Sequence, residues 1–253
     1  VPLVAFDLDD TLTPSKSPIE PPMAQALAAL LDVAPVCIIS GGQLEQFTVQ
    51  VTDRLDLDAE RLARLHLMPT CGTRYYRHDG SGWVAVYAHD LSDAERTAAA
   101  AAVEEHARRL GLWAERPWGP VIEDRGSQIT FSALGQQAPL DAKRAWDPTG
   151  EKKEALRAAV AADLPDLEVR SGGSTSVDIT RKGVDKAYGM RKLAEHTGIA
   201  LEDMVFVGDR LDEGGNDYPV KALGVPCVAV SGWEETVDVV GRLVEELAAP
   251  RLS

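Results

Sequence analysis

Several short clusters of polar residues stand where apolar runs stop, and their residue types describe one chemistry. Asp7-Leu8-Asp9-Asp10-Thr11 follows Leu3–Phe6, Ser40-Gly41-Gly42 follows Val36–Ile39, and Gly208-Asp209 follows Met204–Val207. Lys186 opens a helical stretch, and Gly215-Asn216-Asp217 lies just beyond Asp209. Carboxylates gathered in one crevice repel each other unless a cation neutralises them. Hard carboxylate oxygens select Mg²⁺, which keeps positions open for a phosphate. A serine hydroxyl followed by two glycine N–H groups at a helix start makes an anion nest, here Ser40, Gly41 and Gly42. Lys186 adds a point charge. A carboxylate nucleophile, Mg²⁺, a hydroxyl and a lysine together are what phosphoryl transfer through an aspartyl-phosphate requires.

Each cluster taken singly has a blander reading. Asp9-Asp10-Thr11 could cap a helix, Ser40-Gly41-Gly42 could be a tight turn, and Lys186 could be a solvated helix residue. Their joint placement at successive strand ends carries the chemical reading, because ligands of open α/β sheets bind outside the carboxyl ends of the strands.

The elements that must position these residues are legible as patterns. Leu3–Phe6, Val36–Ile39, Met204–Val207 and Val225–Val230 are short, β-branched and without alternation, as strands buried on both faces of a parallel sheet are. Met23, Ala26, Leu27, Leu30 and Leu31 form one helical stripe opened by Pro21-Pro22, and Ala187 to His196 reads as a helix closed by Gly198. The middle of the chain does not alternate in this way. Arg74–Tyr76 and Trp83–Tyr87 flank the hairpin signal Asp79-Gly80-Ser81-Gly82, and Ser92-Asp93-Ala94-Glu95 is a capping box opening a helix to about Leu110. Strands are expected at Ile122–Glu123, Gln128–Ser132, Leu167–Arg170 and Ser174–Ile179, with a helix from Glu151 to Ala162. The expectation is a doubly wound, Rossmann-like α/β core in two parts, 1–82 and 183–253, with an inserted α+β cap domain over 83–182.

Composition limits the function classes. Forty acidic side chains against 26 Lys+Arg give a net charge of −14 over 253 residues, a surface that disfavours nucleic acid. No apolar run reaches the roughly 18 residues of a spanning helix, and no basic-then-apolar leader opens the chain, so no membrane contact is expected. Three cysteines close no disulfide framework, and the five histidines are scattered singly, which argues against a zinc site. The expected setting is a reducing, cytoplasmic one.

The ordered motifs Asp7-x-Asp9-x-Thr11, Ser40, Lys186 and Gly208-Asp209 with Asn216-Asp217 resemble those of the haloacid dehalogenase superfamily. The 33 residues from Asp7 to Ser40 leave no room for a cap, so it must lie between Ser40 and Lys186. That arrangement is similar to the branch holding sugar-phosphate phosphatases and eukaryotic-type phosphomannomutases. Gly208-Asp209 with Gly215-Asn216-Asp217, Gly183-Val184-Asp185-Lys186, and Gly173 to Asp178 look like the phosphomannomutase versions of these segments. The resemblance implies Asp7 as nucleophile, Asp9 as acid and base, and Ser40 and Lys186 as stabilisers of the transferring phosphoryl group. It implies Mg²⁺ on Asp7, the Asp9 carbonyl and Asp209, with Asn216 and Asp217 in support, and Thr11, Gly41 and Gly42 near the phosphate. Arg125, Ser176 and Asp178 would face a small phosphorylated sugar, and the branch's mutases form homodimers through their caps.

Two positions depart from the pattern. The family has an arginine eleven residues after Arg125, where this chain has Gln136, and another shortly after the first motif, where it has Lys16. A mutase must hold a second phosphate, and a neutral amide does not replace a bidentate guanidinium. Lys143 or Arg144 could supply the charge instead. The departures favour a Mg²⁺-dependent hexose-phosphate phosphatase, with a hexose-phosphate mutase using the same nucleophile as the alternative. A receiver-like phosphoacceptor domain is remote, since receivers are about half this length and carry no insertion.

Overall fold

The computed structural model describes residues 2–249, which fall into two compact units, one ending at Ala88 and resuming at Val184, the other His89–Gly183. In chain order the first unit runs β1 (Leu3–Phe6), α1 (Pro21–Val33), β2 (Val36–Ile39), α2 (Leu44–Gln50), α3 (Ala59–Ala63), β3 (Leu65–Met68), β4 (Arg74–His78) and β5 (Trp83–Ala88). The second unit holds α4 (Asp93–Arg109), β6 (Ile122–Asp124), β7 (Gln128–Ser132), α5 (Leu140–Trp146), α6 (Glu151–Asp163), β8 (Leu167–Ser171) and β9 (Ser176–Arg181). The first unit then closes with α7 (Lys186–Thr197), β10 (Met204–Gly208), α8 (Tyr218–Ala222), β11 (Cys227–Ala229) and α9 (Trp233–Ala248). Among the described residues no helix is long and apolar enough to cross a membrane.

The first unit is a seven-stranded sheet in the order β11-β10-β1-β2-β3-β4-β5, parallel from β11 to β3 and antiparallel beyond. Alternate residues of its central strands enter different cores. Val4, Phe6, Val36 and Ile38 pack with Met23, Leu27 and Leu30 of α1 and with Val239 and Val240 of α9. Leu3, Ala5, Cys37 and Ile39 pack with Met190 and Leu193 of α7 and Val220 of α8. This two-sided burial explains runs without alternation, and each fully buried side chain contributes roughly 1.5–3 kcal/mol. The Rossmann-like parallel core expected from the sequence is present.

In the second unit β6-β7-β9-β8 form an antiparallel sheet. Ile129, Phe131, Val177, Ile179 and Val169 share one face, against Ala99 and Val103 of α4 and Leu156 and Val160 of α6. The capping box at Ser92 and Glu95 forms as read, with Glu95 N donating to Ser92 Oγ at 3.1 Å.

Several boundaries differ from expectation. A division after residue 82 would cut the β4–β5 hairpin, whose register runs from Arg74↔Ala88 to His78↔Trp83, so β5 belongs to the first unit and the break falls at His89. β3 went unread because His66 interrupts its apolar run. α5 is an additional short helix behind Pro139. The Val225–Val230 run gives a strand only over Cys227–Ala229, and the strand expected from Ser174 begins at Ser176.

Candidate active site

Three parallel strands bring their carboxyl ends side by side, β10 next to β1 and β1 next to β2. Asp7 follows β1 and is fixed by its own N–H, which donates to Val207 O of β10 at 3.0 Å. The loop beyond reverses through Asp10, whose φ of 59° is a left-handed conformation that aspartate tolerates better than most residues. The reversal returns the buried Thr11 hydroxyl to 3.4 Å from Asp7 Oδ2 and 3.4 Å from Asp209 Oδ1.

Lys186 is the first residue of α7, whose start is capped by Asp185 accepting from Tyr188 N at 2.9 Å. The helix docks closely because Gly189 faces Cys71 O, which an added Cβ would approach to 2.7 Å. Lys186 is only 1% exposed, a burial that a lysine tolerates when paired. Its Nζ donates to Asp7 Oδ1 at 2.5 Å and to Asp217 Oδ1 at 2.6 Å. Burial disfavours its charge, but Asp7 and Asp217 outweigh that and hold its pKa above the ordinary value. Asp217 is completely buried, and its other oxygen accepts from Arg210 N at 3.1 Å. Room for this carboxylate exists because residue 208 is glycine, where a Cβ would lie 2.5 Å from Asp217 Oδ2.

Asp7, Asp209 and Asp217 each offer an oxygen within 4.8 Å of the others. The Lys186 ammonium pairs with two of these three carboxylates, and the imbalance shows in the titration of Asp209 and Asp217. Asp209 is pushed up to about 7, by burial first and then by Asp7 and Asp217. Asp217 is raised by burial, with Lys186 opposing. An all-oxygen, charge-deficient donor set of this kind fits a hard divalent cation such as Mg²⁺.

The remaining residues singled out from the sequence are distributed as follows. Ser40 is buried at the end of β2, and its Oγ accepts from Gly42 N at 3.3 Å, which folds Ser40, Gly41 and Gly42 into a tight loop. Asn216 is exposed beside the buried Asp217. Asp9 does not join the cluster. Its Oδ1 accepts from Lys16 N at 2.8 Å and Gln50 Nε2 at 3.0 Å, and its Oδ2 from Gln46 Nε2 at 3.0 Å. The Lys16 side chain is exposed, on a residue with φ of 51°.

In the second unit, Arg125, Ser176 and Asp178 share the sheet face opposite its apolar core. One row across the four strands reads Glu123, Thr130, Asp178, Arg170. Arg125 pairs with Glu123 at 3.2 Å, and Thr130 Oγ1 donates to Asp178 Oδ1 at 2.9 Å. Gln136 lies in the loop after β7, its side-chain Nε2 buried without a hydrogen-bond partner. Lys143 Nζ lies 3.4 Å from the Gln136 backbone carbonyl, so a cation does stand beside the position where the arginine is absent.

Sequence reasoning passed over Gln46, Gln50 and Thr130. The two glutamines stand four apart on α2 directly after Ser40-Gly41-Gly42, a spacing that puts both on one helix face and was a usable signal.

Comparison with known proteins agrees with this geometry. Residues 140–220 match a family model described as haloacid dehalogenase-like hydrolase. The phosphomannomutase of Saccharomyces cerevisiae is 25% identical over 228 residues, 86% of this chain and 84% of that one. Phosphomannomutase 1 of Homo sapiens is 24% identical over 226 residues, 87% and 83% of the two chains. A haloacid dehalogenase-like hydrolase from Bacteroides thetaiotaomicron superposes with a TM-score of 0.66 at 15% identity, over 96% of this chain and 99% of that one. Along most of its length this chain is similar to phosphomannomutases, and over residues 140–220 to the haloacid dehalogenase-like hydrolase family, as its motifs imply.

Proposed function

We propose that the protein is a phosphotransferase of small phosphorylated sugars that carries the phosphoryl group on Asp7. The observation that carries this reading is the buried Lys186 ammonium held between Asp7 and Asp217, with Asp209 beside them. An Asp7 oxygen attacks phosphorus, the bond from phosphorus to the sugar oxygen breaks, and its electron pair leaves on that oxygen. Asp9 supplies the proton that makes it a hydroxyl, and later removes a proton from the incoming nucleophile. Lys186 and the Ser40–Gly42 loop offset the charge that develops on the phosphoryl oxygens, with Thr11 holding the carboxylates in register. Mg²⁺ held by Asp7, the Asp9 carbonyl and Asp209, with Asn216 and Asp217 in support, would supply Lewis-acid stabilisation of the phosphate. The second unit would serve as the cap, with Arg125, Gln136, Ser176 and Asp178 as its candidate substrate contacts, and Lys16 is a further candidate in the first unit.

The fate of the phosphoryl group separates two readings. The phosphomannomutase relatives along most of both chains favour return to a second sugar position, hence a hexose-phosphate mutase, and Lys143 beside Gln136 supports it by restoring a cation. The neutral Gln136 itself favours hydrolysis, the reading to which the sequence alone leans. Free thiols at Cys37, Cys71 and Cys227 suit a reducing cytoplasm, and the mutase reading brings a homodimer through the second unit.

A panel of hexose monophosphates with Mg²⁺, scored together for isomerised product and free phosphate, decides between them. The mutase requires a bisphosphorylated hexose activator and releases almost no phosphate; the phosphatase needs no activator. In either case Asp7→Asn, nearly isosteric, is expected to lower turnover at least about 1,000-fold while the fold persists. Wild-type rates in that variant would end the covalent mechanism.

A further inference from the structure

Two residues past the nucleophile, the Asp9 carboxylate lies in a setting built entirely of neutral donors. Gln50 is 4% exposed, and its amide nitrogen lies 3.0 Å from Asp9 Oδ1, 3.0 Å from Thr13 Oγ1 and 3.1 Å from Ser17 O. Its backbone carbonyl also accepts from Ile19 N at 2.7 Å. One side chain of α2 thereby fixes the loop that carries Asp9 and Lys16. Gln46, one turn earlier, reaches the other Asp9 oxygen at 3.0 Å. That reach depends on Gly42, because a Cβ there would stand 1.9 Å from Gln46 Oε1.

We infer that Gln46 and Gln50 form a positioning clamp that holds the Asp9 carboxylate in the orientation from which it exchanges a proton with the sugar oxygen. The inference rests on the proposed role of Asp9. The physical argument concerns rotamers. A carboxylate beside a buried cluster of other carboxylates turns towards the nearest cation unless neutral donors hold it, and Lys186 is already taken by Asp7 and Asp217. Amides hold Asp9 by hydrogen bonds without competing for the phosphoryl charge. Asp9 Oδ1 accepts two protein donors and Oδ2 only one, which leaves Oδ2 with the lone pair for the transferred proton. The clamp also ties the acid to the Ser40–Gly42 loop, so proton donor and anion nest move together on α2.

Leaving-group dependence tests this, because p-nitrophenolate departs without a proton and a sugar alkoxide does not. The comparison is consumption of mannose 1-phosphate, with a hexose bisphosphate activator present, against release of p-nitrophenolate from p-nitrophenyl phosphate, both by this protein with Mg²⁺. Gln46→Met keeps length and volume and removes the donor. Its ratio of sugar-phosphate to aryl-phosphate turnover is expected to fall about tenfold, chiefly in kcat rather than KM. Gln46→Met combined with Gln50→Met is expected to fall further, and a melting curve checks that this more buried variant is folded; if it is not, Gln46→Met decides alone. An unchanged ratio, or parallel loss on both esters, overturns the clamp. Failure of the wild-type protein to consume either ester would instead remove the proposed function, and the clamp with it.

Discussion

Each unit of this molecule buries a carboxylate next to guanidinium or ammonium groups, and the two settings differ in charge balance. Around Asp7 in the first unit, three carboxylates meet a single lysine, and Asp209 is pushed up to about 7. Around Asp178 in the second, burial raises the carboxyl, but Thr130 donates to it and Arg125 and Arg170 both oppose the rise, with Glu123 as the one nearby acid adding to it. In the first setting one buried ammonium lies between two of the three carboxylates; in the second each arginine already pairs with a glutamate, Arg125 with Glu123 and Arg170 with Glu168. A site short of cation binds one or spends its charge in a reaction; a balanced polar row on a sheet is suited to orienting a neutral sugar. The difference is in keeping with the proposed function, in which the first unit reacts and the second recognises the sugar.

The largest effect should come from removing the buried cation of the reactive setting. Lys186→Met leaves Asp7 and Asp217 facing each other in a buried place, which costs roughly 3–5 kcal/mol of stability and abolishes turnover. Urea unfolding measures the first and a phosphate-ester assay the second. Equal stability of variant and wild type would mean that the lysine does not offset those charges. Added Mg²⁺ should recover part of the lost stability in Lys186→Met, because a divalent ion addresses the same imbalance.

A pH series sharpens the contrast further. Without divalent ions the folded protein holds a proton on Asp209 that the unfolded chain releases near its ordinary pKa of 3.8. Between that value and about 7 the unfolded state therefore binds fewer protons, and this group's contribution to stability falls as pH rises. Thermal unfolding in EDTA should show this decline from pH 5 to 7.5, as about 1 degree or more of lowered melting temperature. With saturating Mg²⁺ the decline should flatten or reverse, since the ion requires the carboxylate form; a bound ion at 100 times its Kd adds about 2.7 kcal/mol. Parallel curves with and without Mg²⁺ would show that the three carboxylates do not share an ion.

How much of this was legible in the residues follows from where the physics is local. The parallel strands and the polar clusters at their ends are readable because two-sided burial removes alternation, and ligand groups must follow where a strand stops. Strand β3 was missed for the opposite reason. His66 reads as polar, yet in the fold its Nδ1 lies 2.5 Å from Tyr75 Oη, and burial pushes its pKa down to about 4, so it stays neutral in the core. No residue near His66 in the chain announces that partner. Trp83–Tyr87 reads as part of the inserted domain because regular strand–helix alternation stops there, whereas hairpin partners stay together in one sheet. Gln46 and Gln50 were missed because glutamine on a helix is usually solvated, and only the return of the Asp9 loop reveals what they hold.

The smallest of these effects lies in the balanced setting and is the most discriminating. Asp178→Asn keeps the shape and the acceptor for Thr130 Oγ1 while removing a charge that burial already disfavours. The change should therefore alter stability by under about 1 kcal/mol. A sugar hydroxyl donating to Asp178 would lose a charge-assisted bond worth roughly 1.5 kcal/mol, which appears as about a tenfold rise in KM for the hexose phosphate with kcat within about threefold. Turnover of p-nitrophenyl phosphate, which offers no sugar hydroxyl, should keep its KM. If Asp178→Asn instead lowered kcat on both esters as Asp7→Asn does, the second unit would take part in the reaction itself, and the division of labour inferred from charge balance would be wrong.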